Sequence, residues 1–216
     1  TSIERLIMDD MGIDMLNRQA LLLGQNTNKN VGPRRISHLK ASELVEYHFI
    51  SQEQFNSYYK FAFVRDPITR LISTYKYLKY NNFISFDIFI KKIFPKLLFD
   101  DNYSYFVTPQ YQYIYDTEGK LLVDFVGKFE NLTSDFEHVK KELNLLKREL
   151  KHHNSSAHRK KRLSYYTILK RIIKDKISLN ELSFKNNERY LSKISTEIIE
   201  QNYYQDYKLF DYKLNQ

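Results

Sequence analysis

The stretch Tyr59-Lys60-Phe61-Ala62-Phe63-Val64-Arg65-Asp66-Pro67-Ile68-Thr69-Arg70-Leu71-Ile72-Ser73-Thr74-Tyr75 reads as a strand, an abrupt stop and a helix. Phe61 to Val64 is an apolar run without polar alternation, the pattern of a strand covered on both faces. Asp66 suits an N-cap, and Pro67 suits the first helical position, where its missing N–H costs nothing. Ile68, Leu71, Ile72, Tyr75 and Leu78 recur at helical spacing and predict one apolar face, with Thr69, Ser73, Lys76 and Tyr80 on the other side. Arg65 is then expected at the carboxyl end of a strand, beside a helix N-terminus. Open α/β sheets bind ligands at that edge, and a helix start favours anions. The guanidinium can grip a phosphate through two N–H donors, and Ser73 can add a hydroxyl. The same residues also suit an ordinary strand–helix unit in which Arg65 pairs with Asp66.

F-V-R-D-P-x-x-R-L-x-S-x-Y, as it stands in this stretch, resembles the 3′-phosphate-binding motif of sulfotransferases that use PAPS (3′-phosphoadenosine 5′-phosphosulfate). It is most similar to the carbohydrate branch that includes heparan sulfate 2-O-sulfotransferase and its bacterial relatives. The resemblance implies that Arg65 and Ser73 hold the 3′-phosphate of PAPS, and later of the product PAP. It also implies an α/β fold: a P-loop-like three-layer sandwich with a mostly parallel central sheet flanked by helices and a helical C-terminal part.

Composition bounds the rest. A chain of 216 residues is enough for one domain with a sizeable core. Apolar residues at 42% and aromatics at 15% mark a globular protein rather than a disordered one. The net charge of +8 favours an anionic partner. There is no cysteine, which excludes disulfides and thiolate chemistry and fits a reducing compartment. A bacterial-type protein of this kind is expected in the cytoplasm, a eukaryotic one in the Golgi lumen. No stretch approaches the ~20 apolar residues that span a bilayer. Five scattered glycines make no Gly-rich phosphate loop, and G-x-x-x-x-G-K-[ST] is missing, which disfavours a P-loop kinase.

Ser2 can cap a helix with Ile3, Leu6, Ile7 and Met11 on its apolar face and Gly12 at its end. Thr1-Ser2-Ile3-Glu4 resembles the tail of the family's P-K-x-G-x-T-S loop for the 5′-phosphosulfate. On that reading Thr1 and Ser2 bind the cofactor, and the first strand and the loop with its lysine lie upstream of residue 1. Asn26 to Arg35, with Gly32-Pro33, is a loop. His38 precedes a helix near Ala41–Tyr47. By itself it is either a structural hydrogen-bonder or a base, since an imidazole titrates near neutrality. The stretch around it resembles the family's H-V-S-x-x-x-F region, which implies that His38 is the catalytic base.

Ser85 is expected to cap a helix with Phe86, Phe89, Ile90 and Ile93 on one face, closed by Pro95. Pro109-Gln110-Tyr111-Gln112-Tyr113 resembles a P-Q-x-x-Y segment close to the acceptor. The aromatics around it suit either sugar stacking or core packing. Asp116 to Lys120 is a turn. Leu121 to Leu132 resembles the strand D-x-V-G-x-F-E-N-L, and Ser134 to Glu137 has the form of a capping box. Glu130 at the strand end reads as a pairing carboxylate or an acid. The stretch from His152 to Lys160 resembles a loop that closes over the cofactor, with Ser156 and Arg159 as a second grip on the 3′-phosphate. A metal role for His152, His153 and His158 lacks a carboxylate at ligand spacing, and no metal is expected.

From His158 to Lys176 basic residues dominate, which suits a solvated helix face, a nucleic-acid patch or a groove for an acidic polymer. No nucleic-acid-binding motif accompanies it, and no nucleic-acid partner is expected. Residues 163–193 read as a helical insertion, and Ser195 to Leu209 as the closing helix. The end of that helix resembles the family's Y-x-x-D-x-x-x-F-x-Y. The whole of 1–216 is thus expected to be one sulfotransferase-like domain. It would move a sulfuryl group from PAPS to a hydroxyl of a glycan or polysaccharide. The alternative is a degenerate domain that binds an acidic glycan or nucleotide without turnover.

Overall fold

The computed structural model describes residues 2–14, 26, 36–145, 163–184 and 190–213. Regular structure there runs α1 (Ser2–Asp10), α2 (Glu43–Glu46), α3 (Gln52–Ser57), β1 (Phe61–Val64), α4 (Pro67–Tyr77), α5 (Phe86–Ile88), α6 (Phe94–Leu97), α7 (Tyr111–Ile114), β2 (Phe125–Lys128), α8 (Leu132–Glu142), α9 (Tyr165–Asp175) and α10 (Lys193–Leu209). Two compact units result. The first comprises Thr1–Val64 with Gln110–Arg159, the second Arg65–Pro109 with Lys160–Gln216.

In the first unit β1 and β2 pair in parallel, Phe61 opposite Phe125 and Val64 opposite Lys128. Parallel neighbours cannot be joined by a tight turn, so a long crossover separates them in the chain. Among the described residues the sheet has these two strands, and only Val64 of β1 is fully buried. The expected cover on both faces is therefore met at one residue of four. Phe61 and Phe63, two apart, share a face. Phe63 contacts Phe61, Phe125 and Phe136 at ring separations of 6.2, 6.5 and 6.3 Å. This aromatic layer packs on Leu6 of α1 and on Phe136 and Val139 of α8. Met8, not Met11, is buried in α1. The helix stops at Asp10, Gly12 takes φ +67°, and the Ile13 N–H returns to the Met8 carbonyl, so Met11 leaves the packed face.

Two carboxylates close the ends of this strand pair. Asp124 accepts from the Lys60 backbone N–H at 2.6 Å and from Lys60 Nζ at 3.0 Å. Those bonds, the backbone one first, hold its carboxyl below the usual range. Asp135 accepts from the Lys128 N–H at 2.7 Å. The capping box read at Ser134–Glu137 does not form, because Ser134 Oγ donates to the Asn131 carbonyl at 2.9 Å and Glu137 pairs with Lys140 at 2.9 Å. The helix starts earlier, at Leu132, after a 3₁₀ turn over Phe129–Asn131, and the strand shrinks to four residues. Gly127 is opposite Phe63, and a Cβ there would sit 2.5 Å from Phe63 Cε1. Gly127→Ala is expected to lower stability by about 1–3 kcal/mol, the usual cost of overpacking, read as a fall in the urea midpoint.

In the second unit the helix start is as expected. Pro67 is first, and the Thr69 N–H donates to the Asp66 cap at 2.8 Å. Leu71, Tyr75 and Leu78 are buried, with Ile68 and Ile72 packed against them. Tyr80 departs from expectation. It follows the end of α4, in a 3₁₀ turn, and is buried with its hydroxyl 2.8 Å from Asp175 Oδ2. Burial first, then the Asp175 charge, pushes that phenol well up. Pro95 also departs. A π-helical turn over Phe89–Ile93 separates α5 from α6, and Pro95 lies in the first turn of α6 rather than ending a helix. The break in register supplies a fresh helix start, where a missing N–H is tolerated. Phe86, Phe89, Ile90, Ile93 and Phe94 are all inside.

Asp87 fastens α10 to α5. It accepts from Lys91 Nζ at 2.7 Å, the Ser192 N–H at 2.8 Å and Ser195 Oγ at 2.7 Å. Burial pushes its carboxyl up, but these three donors together outweigh burial and hold it down at about 2. The folded carboxyl binds its proton more weakly than the unfolded one. Its contribution, about 2 kcal/mol, is therefore full above pH ~4 and fades as pH falls towards 2. Denaturant titrations at pH 5 and pH 3 should show the wild type losing more stability than Asp87→Asn. Equal losses would remove the carboxylate from this role.

Candidate functional site

Arg65 follows the last residue of β1 and is half-buried. Its Nε donates to Thr69 Oγ1 at 3.1 Å, and Thr69 Oγ1 donates to the Asp66 carbonyl at 3.1 Å. Ser73 is exposed one turn further along α4, on the side of Thr69. A guanidinium and two hydroxyls thus line one ridge. Residue type alone does not mark Thr69 as ligand-facing. Its spacing, four after Arg65 and four before Ser73, was the available signal. The helix start itself contributes less than expected, because Asp66 already accepts the Thr69 amide.

The motif's second arginine serves the fold. Arg70 donates to the Thr108 carbonyl at 2.7 Å and to the Tyr105 carbonyl at 3.2 Å. From α10 comes Tyr207, whose hydroxyl is buried and without a hydrogen-bond partner among the described residues. Burial pushes this phenol up, and the Asp66 charge adds to the shift. A buried phenol without a partner, within range of the Asp66 charge, fits a site that takes a polar ligand.

His38 lies in the first unit, exposed, at the end of a 3₁₀ turn over Ile36–His38. Lys40 N–H donates to Glu43 Oε2 at 2.8 Å, so Glu43 of α2 fixes the segment that follows His38. The Ala41 N–H donates to the Tyr113 carbonyl at 2.8 Å. The structure therefore brings the histidine segment beside the Gln110–Tyr113 stretch, two regions that sequence alone left separate. Ser2 is the first residue of α1. Thr1, Ser156, Arg159 and the histidines at 152, 153 and 158 lie outside the described residues. Among the described residues no group of His, Asp and Glu is arranged to hold a metal. A separate cavity of about 170 Å³ in the second unit is lined by Tyr80, Tyr103, Arg171 and Lys174 and shares no residue with the Arg65 ridge.

A parallel strand pair covered by helices in the first unit, and a capped helix start in the second, make this a mixed α/β protein. Residues 20–213 match the model of the sulfotransferase family. The chain belongs to that family, and the match supports an enzyme of sulfuryl transfer. Over 101 residues, 44% of this chain and 76% of the relative, it is 33% identical to an uncharacterized protein of Archaeoglobus fulgidus. No solved structure matches it.

Proposed function

We propose that this chain transfers a sulfuryl group from PAPS to a hydroxyl of a carbohydrate, within a single sulfotransferase-like domain of P-loop-like α/β architecture. The observation that carries the reading is the Arg65–Thr69–Ser73 ridge at the start of α4, within a chain of the sulfotransferase family. The nucleotide, when bound, supplies the sulfuryl group and a phosphate leaving group. Arg65 and Ser73 bind the 3′-phosphate through a charged donor and a hydroxyl. Thr69 orients the guanidinium, and Ser2, with Thr1, Ser156 and Arg159, adds polar contacts to the same ligand. His38 accepts the proton of the acceptor hydroxyl as that oxygen attacks. Positive charge that is preorganised where negative charge develops lowers the barrier.

The test is incubation of the protein with labelled PAPS and a panel of polysaccharides. Label entering a glycan supports the reading, and release of PAP without any labelled acceptor argues against it. Nucleotide binding with no turnover would instead indicate a binding module. Arg65→Ala is expected to weaken PAP binding by about 10–100-fold, the loss of a charge-assisted contact. Calorimetry with an unchanged Kd would remove Arg65 from the site.

A further inference from the structure

Helix α9 is anchored along one face and open along another. Ile168 and Ile172 pack against the core of the second unit. Arg171 donates to the Leu78 carbonyl and lies 5.2 Å over the Tyr80 ring, and Lys96 Nζ donates to the Asp175 carbonyl at 2.7 Å. A different arc of the helix carries Tyr165, Tyr166, Leu169 and Ile173, which are 93%, 76%, 56% and 69% exposed. Tyr165, Leu169 and Ile173 recur one turn apart, with Tyr166 beside them. Lys170 and Lys174 flank that arc and are exposed. From His158 to Lys176 the sequence holds eight Lys and Arg against the single acidic Asp175.

We propose that α9 is a membrane-surface helix that docks on an anionic phospholipid bilayer. Tyr165, Leu169 and Ile173 enter the boundary between headgroups and acyl chains, and the flanking lysines meet the lipid phosphates. Both halves of the surface are used in this arrangement. An acidic glycan or a nucleic acid would use the charge but leave Leu169 and Ile173 in water. A protein partner would cover the apolar arc, but the one-sided charge favours a surface that is itself uniformly negative. No helix among the described residues is long and apolar enough to cross a membrane, so α9 lies on the bilayer rather than through it. The inference is independent of the sulfuryl-transfer reading.

The chain has no tryptophan, so Leu169→Trp provides a single reporter. The full chain is titrated with vesicles of phosphatidylcholine alone, and of equal parts phosphatidylcholine and phosphatidylglycerol. The expected result is a blue shift and quenching by brominated lipid with the anionic vesicles only, weakening as salt is raised. Flotation of the wild type should agree. The Leu169→Asp/Ile173→Asp double variant should bind the anionic vesicles about ten-fold or more weakly at an unchanged Tm, since both side chains are exposed. Three results overturn the proposal: no vesicle binding, binding that the double variant retains in full, or sedimentation showing that the arc joins two copies of the chain while vesicles are ignored.

Discussion

His38→Ala should lower sulfuryl-transfer turnover by about 10²–10⁴, the usual contribution of a general base, with PAP affinity unchanged. The imidazole is exposed at the end of a 3₁₀ turn and belongs to neither apolar cluster, so its removal should leave the fold intact. A loss of rate can therefore be read as lost chemistry. The local frame has its own supports, because the Glu43 carboxylate and the Tyr113 carbonyl hold the residues that follow His38. His38→Gln keeps a polar group of similar reach but cannot take up the proton, so it should fare no better than alanine. Added imidazole should restore part of the rate in His38→Ala. A variant turning over at nearly the wild-type rate would assign the histidine to structure.

The largest effect on stability is expected from Phe89→Ala, about 3–5 kcal/mol, seen as a lower urea midpoint. Phe89 is fully buried in the π-helical turn. Its ring lies 5.4 Å from Tyr75, 5.5 Å from Tyr80 and 6.2 Å from Phe86. Truncation removes the apolar transfer term, opens a cavity and takes one ring contact from each of Tyr75, Tyr80 and Phe86. The second unit also carries Arg65, just before α4, and Thr69 and Ser73 on α4, a helix held to this core by Leu71 and Tyr75. Nucleotide binding should therefore fail over the same denaturant range in which the unit unfolds. A shift below about 1 kcal/mol would mean that the aromatic cluster repacks around the gap.

The motif D-x-V-G shows how a family match and its cause differ. Asp124 and Gly127 stood out by resemblance, yet their work is structural. Asp124 ties the Lys60 amide and ammonium, and Gly127 leaves room for the Phe63 ring. Both depend on residues roughly sixty positions away, which no local pattern reveals. Arg70 is a similar case, since its carbonyl partners at 105 and 108 lie more than thirty positions away, in and just after a 3₁₀ turn. In one case where the reading of local signals failed, a distant partner had claimed the residue. Tyr80, expected on the outer side of its helix, turns inward to meet Asp175.

What the sequence determined by itself was the strand–helix junction. Asp66, Pro67 and the apolar spacing after them act through nearest neighbours on one helix, and short-range forces are legible in a linear string. It also determined the basic balance and the absence of thiol chemistry, which are properties of composition. Only the tertiary structure decided which polar groups are spent on the fold and which face outward. Hydrogen bonds and burial pair residues across long separations, and the same Asp, Tyr or Arg is brace or ligand according to the partner that packing delivers. Exposure of Tyr165, Leu169 and Ile173 is likewise a tertiary fact, because it depends on the core taking up the Ile168 and Ile172 face of α9 instead.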